Sequence, residues 1–170
     1  LFTYAVEGEH KGSLKSAKTG FPLYHGFCEI LLPLLVKNIE LQISGGAEIV
    51  MVFDTAAGEL SPGLFKTELQ PYLLQLAKTF PGKIGYYSKG TTPYHLSELR
   101  TQTEFAGFGV DHRFEIAEEL LRQPQGFLQG NFDQALLFTP TSRFEGVLRS
   151  YLKPLLALTK EQRRHWVCGL

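Results

Sequence analysis

Cysteine is scarce in this chain. Only Cys28 and Cys168 occur, far apart, with no CxxC pair. A disulfide framework is therefore excluded, and such sparse thiols suit a reducing cytoplasm. Net charge is lacking too: 17 Lys and Arg balance 17 Asp and Glu. That neutrality argues against broad binding to nucleic acid or to an anionic membrane surface. No apolar run is long enough to span a bilayer; the longest, "ILLPLLV" at 30–36, is far too short. The opening residues, "LFTYAVEGEHKG", have neither the basic start nor the apolar stretch of a secretory leader. There is no Walker motif and no GxSxG, and Gly45-Gly46 precedes a strand pattern, so it is no dinucleotide loop. An initiator Met is also absent, and "HWVCGL" reads as a strand that stops without a tail. The expectation is a piece of a longer protein.

What is present is an ordinary folding chain of 170 residues, 44% hydrophobic and 20% charged, enough for one domain with a core. Apolar runs alternate with helical patterns. The strand candidates are "EIVMVF" (48–53), "KIGYYS" (83–88), "FAGFGV" (105–110), "GFLQGN" (126–131) and "HWVCGL" (165–170). Helical spacing predicts helices over about 21–44, 61–79, 94–103, 113–123 and 142–158, with a short turn over 133–138. Pro33 should kink the first helix or sit near its start, and Pro71 should divide the second. Ser61 and Pro62 read as an N-cap and a first helical residue. Strand–helix alternation implies parallel strands joined by right-handed crossovers. Either an open sheet or a (β/α) barrel fits, but a complete eight-unit barrel takes about 250 residues.

In such folds chemistry sits where strands end. The strand ends here carry Asp54 and Thr55, Ser88 and Lys89, Asp111 and His112, and Asn131 and Asp133. For each residue alone, capping a helix or closing a turn is the ordinary expectation. Together they form a polar rim on an apolar stave, which names no reaction. Lys11, Lys15 and Lys18 share a helical spacing that reads as a solvated face. His25 and Cys28 lie i, i+3 in a Leu-rich helix, where packing is the expectation; zinc would need at least a third ligand.

Three segments, "LFTYAVEG", "GAEIVMVFDTAAGELSP" and "LQGNFDQALLF", resemble in order three segments of uroporphyrinogen decarboxylase, and "FAGFGVDH" falls where that family has a strand ending in aspartate. The resemblance covers essentially all 170 residues. It implies a (β/α)₈ TIM barrel of about 350 residues, here a partial barrel of about five parallel strands forming the C-terminal part of one domain (1–170). The first three strands and the family's "GHG" segment, which would follow Leu170, are expected to be missing. It implies a lyase that removes the four acetate carboxyl groups of uroporphyrinogen III in haem biosynthesis, giving coproporphyrinogen III. No metal or cofactor is implied; a cytoplasmic homodimer is. Two substrate contacts carry over: the tyrosine of "TYxVEG" falls on Tyr4 and the hydroxyl residue after "FD" on Thr55. The family's catalytic aspartate and its carboxylate-binding arginines lie outside this chain, so the piece alone is expected to be inactive. Asp54, on the opposite side of the strand from Thr55, reads as an anchor. Glu9 and His10 depart from the glycines and serines usual after "VEG".

Two other functions compete. Zinc-dependent corrinoid methyltransferases resemble this chain but place a His-x-Cys pair at the strand aligned with "IGYYSKG", where this sequence offers Tyr86, Tyr87, Ser88 and Lys89. A non-catalytic remnant that still binds a porphyrinogen is the third reading.

Overall fold

A computed structural model describes residues 1–8, 14–122 and 125–169. Glu9, His10 and Lys11 lie outside the described residues. Five strands form one sheet, β1 (Val50–Asp54), β2 (Ile84–Ser88), β3 (Phe105–Val110), β4 (Phe127–Gln129) and β5 (Trp166–Val167), paired in chain order and all parallel. Neighbours in sequence are neighbours in space. That singly wound order, with helices on one face, is the order of barrel staves.

The helices are α1 (Phe2–Glu7), α2 (Lys15–Thr19), α3 (Phe21–Ser44), α4 (Pro62–Leu64), α5 (Gln70–Thr79), α6 (Pro93–Leu96), α7 (Ile116–Leu121), α8 (Thr141–Leu156) and α9 (Lys160–Arg163). α3 matches its predicted span, and Pro33 lies inside it on an exposed face without ending it. Ser61 caps α4 as expected: its Oγ accepts from the Leu64 N–H at 3.3 Å, and Pro62 follows. A π-helical turn, Phe65–Leu69, joins α4 to α5. Pro71, which has no N–H to donate, sits in the first turn of α5, so the predicted division falls at a widened turn rather than a gap. The helices predicted over 94–103 and 113–123 are shorter. The first is α6 with a 3₁₀ turn, Leu99–Thr101, and the second is α7 alone.

The two faces of the sheet differ. On one, Val50, Ile84, Tyr86, Phe108, Val110 and Leu128 are buried against Ile39 of α3, Leu73 and Leu76 of α5, Leu96, Leu120 and Leu155. Each such side chain contributes about 1.5–3 kcal/mol when fully buried. A buried carboxylate, Glu119 of α7, is held between Arg100 and Arg122, which keeps that acid paired inside the layer. The opposite, inner face is uncovered by any described helix. α1 and α2 close a smaller cluster on α3, with Phe2, Leu14 and Ala17 buried beside Tyr24 and Phe27.

Candidate active site

The loops after the strands are tied to one another in sequence. Lys89 N–H donates to the Asp54 carbonyl at 2.9 Å, and Gly58 N–H to the Lys89 carbonyl at 3.1 Å. Gly90 N–H donates to Asp111 Oδ2 at 2.7 Å. Asn131 Nδ2 donates to the carbonyls of Asp111 (2.9 Å) and Phe114 (2.6 Å). Phe132 N–H donates to the Gly169 carbonyl at 3.1 Å. The C-terminal ends of all five strands thereby form one braced rim.

Three of the predicted rim residues spend their polar groups inside this brace. Ser88 is buried, its Oγ 2.7 Å from Thr91 Oγ1. Asp111 is buried; its Oδ1 accepts from the Arg113 N–H at 3.0 Å and its Oδ2 pairs with the Arg113 guanidinium. Asn131 is buried as described, and its N–H donates to the Tyr151 hydroxyl at 2.9 Å. Asp133 caps the turn at 134–138, Oδ1 accepting from the Ala135 N–H at 2.9 Å. Thr55, Lys89 and His112 are exposed on the rim.

Asp54 behaves as the anchor expected of it. Its Oδ1 accepts from the Ala56 N–H at 3.0 Å, and the Tyr86 hydroxyl donates to Oδ2 at 3.5 Å. Burial pushes its carboxyl above the usual aspartate range, against the pull of the Ala56 N–H. The motif that follows is geometric. A Cβ on Gly58 would fall 2.2–2.5 Å from the backbone of Gly90, so only glycine permits the loops after β1 and β2 to touch. His95 completes the joint: its Nδ1 accepts from the Thr92 N–H at 3.1 Å, which leaves Nε2–H to donate to the Leu60 carbonyl at 2.9 Å.

Below the rim, the strand register sets two rows on the inner face. The lower is Met51, Gly85, Gly107 and Phe127, with the Met51 and Phe127 side chains lying over the glycines. The upper is Phe53, Tyr87, Gly109, Gln129 and Val167. Phe53 is 67% exposed, and its ring centroid lies 5.5 Å from that of Tyr87. Tyr87 leans over Gly109, where a Cβ would meet its ring at 2.9 Å. Burial, and then the nearby Asp111 charge, raise the Tyr87 phenol, partly offset by Arg113; it remains a neutral donor. None of this inner wall was singled out as a site in the sequence, although alternation along "IVMVF" and "FAGFGV" was the available signal.

The family described as "Uroporphyrinogen decarboxylase (URO-D)" matches residues 1–170. The chain belongs to the uroporphyrinogen decarboxylase family. Among relatives named uroporphyrinogen decarboxylase, that of Dictyostelium discoideum is 28% identical over 149 residues, covering 81% of this chain and 40% of the relative. That of Desulfotalea psychrophila is 29% identical over 171 residues, covering 96% and 48%. The Ovis aries protein is 30% identical over 158 residues, covering 81% and 41%. The chain thus spans less than half the length of these relatives.

The two residues that the uroporphyrinogen decarboxylase resemblance carries over are placed differently. Thr55 lines a cavity of about 360 Å³ between α3 and the free edge of β1, whose wall also includes Leu1, Phe2, Thr3, Tyr24 and Asp54. Tyr4, next along α1, is half-exposed and is not part of that wall. Cys28 is packed as expected, whereas His25 is partly exposed and bridges polar groups. His25 Nδ1 lies 2.8 Å from the Tyr72 hydroxyl and Nε2 3.0 Å from Glu68 Oε2. Cys28 is buried beside Tyr24, whose phenol is raised by burial and by its hydrogen bond to Cys28. Cys168 is exposed just after β5.

Proposed function

We propose that this chain is the C-terminal part of a uroporphyrinogen decarboxylase, which converts uroporphyrinogen III to coproporphyrinogen III. The observation that carries the reading is the family match along all 170 residues. The uncovered inner face supports it. Phe53 and Tyr87, their rings tilted 51° to one another, give an aromatic wall against which a large ring can pack.

Each decarboxylation breaks the bond between an acetate CH₂ and its carboxylate, releases CO₂ and returns one proton to that carbon as a methyl group. The electron pair needs a sink, and a protonated pyrrole ring provides one. The protein must therefore deliver protons and hold the macrocycle. Thr55 and Tyr4 supply neutral hydrogen-bond donors to substrate carboxylates. Lys89 adds an exposed cationic group on the rim that draws in a polyanion. The catalytic aspartate comes from the part of the protein that precedes this chain. The parent works in the cytoplasm as a homodimer, with no metal or cofactor.

The test is anaerobic incubation of the family-length parent with uroporphyrinogen III, with products separated by carboxyl number. Stepwise appearance of seven-, six-, five- and four-carboxyl porphyrinogens, unchanged by chelators, is expected. A folded parent that binds the ring without turnover would instead support the binding-remnant reading. Chelator-sensitive activity restored by zinc would support a methyltransferase-like metal site.

A further inference from the structure

The upper inner row carries one carboxamide beside the Tyr87 phenol. Gln129, from the "LQGN" stretch, stands between Gly109 of β3 and Val167 of β5 and is only partly buried. The other side chains of its row are aromatic or aliphatic. Its carboxamide has no hydrogen-bond partner among the described residues. The neighbouring polar residues of the same stretch are engaged, Asn131 in the rim brace and Asp133 as a cap. Space is kept open for the amide: a Cβ on Gly169 would fall 2.9 Å from Gln129 Cγ and 3.3 Å from Nε2. A bound macrocycle that dries this wall would strand the amide unless it supplied a partner.

We propose that Gln129 is a substrate-binding residue whose Nε2–H donates to a carboxylate of the ring lying against the inner face. The assignment rests on the function proposed above. A neutral amide suits that place, since it meets an anionic oxygen without bringing a buried charge of its own. Donation to carboxylate, rather than acceptance from a pyrrole N–H, follows from eight carboxylates on the substrate and an upper row with no cation.

The test compares Gln129→Leu and Gln129→Glu in the family-length parent, with Gln129→Met as the unbranched alternative if the Leu variant does not fold. KM for uroporphyrinogen III should rise about tenfold or more in the Leu variant and further in the Glu variant, with kcat and the melting temperature little changed. Fluorescence titration with uroporphyrin III, which carries the same eight carboxylates, reads the same contact without turnover. An inactive wild type would reject the function, while the titration still decides the residue. Wild-type KM and uroporphyrin affinity in a folded Leu or Met variant would overturn the assignment. Tighter binding by the Glu variant would overturn it as well, by making residue 129 an acceptor for pyrrole N–H groups.

Discussion

At the scale of single residues, Asp54 and Thr55 share a strand end but differ in their surroundings. Asp54 is turned into the structure, where it fixes the Ala56 turn and meets Tyr86. Because burial raises its carboxyl pKa, the folded state holds the proton more tightly than the unfolded chain does. Its contribution is therefore full below the ordinary aspartate pKa of about 3.9 and is lost as pH rises through the higher folded value. Asp54→Asn keeps the Oδ1 acceptor and abolishes that titration. Its stability relative to wild type should climb with pH above about 4, read by chemical denaturation at several pH values; a flat or falling difference would refute this. Thr55 is exposed instead. Thr55→Val in the family-length parent keeps the β-branch and removes only the hydroxyl. Losing a hydrogen bond to a charged group, about 1.5–3 kcal/mol, predicts roughly a ten- to hundredfold lower kcat/KM in a normally folded protein. Unchanged kinetics would leave Thr55 with a structural role only. The difference in their surroundings was legible, since alternation along a strand puts them on opposite sides. Gln129 was not, because a Gln inside a short strand gives no signal until the register shows which face it occupies.

At the scale of elements, long and regular patterns were readable and short ones were not. "FAGFGV" is β3 residue for residue, and α3 matches because its apolar spacing persists over 24 residues. α1 and α2, of 6 and 5 residues, are too short for a period to show. β4 and β5 proved shorter than predicted because their ends turn into the rim brace. That brace is what the "FDTAAGELSP" stretch encodes: a turn fixed by Asp54, a contact allowed by Gly58, and a helix start at Ser61-Pro62. Gly58→Ala drives a methyl into the Gly90 backbone, which has no rotamer with which to yield. Overpacking of this kind costs about 1–3 kcal/mol. The expected result is a lower denaturation midpoint together with loss of activity, since the loops after β1 and β2 must separate. An unchanged midpoint would mean that the two loops slide apart freely.

At the scale of the whole molecule, β1 and β5 are the edges of the sheet, and the inner face between them is open. Free edges carry unpaired N–H and C=O groups, and a barrel's inner side chains are meant to be packed by the remaining staves. Phe53 at 67% and Val167 at 43% exposure show what such an open wall leaves to water. A few unburied side chains at about 1.5–3 kcal/mol each are comparable with a typical net stability of about 5–15 kcal/mol. We propose that these staves belong to a barrel completed, structurally and catalytically, by the other half of the family-length protein. The most direct measurement is on residues 1–170 expressed alone, with solution mass by light scattering and an anaerobic assay for coproporphyrinogen. The prediction is self-association or incomplete folding, with no turnover until the N-terminal complement is supplied. A monodisperse, cooperatively melting monomer that makes coproporphyrinogen unaided would contradict it.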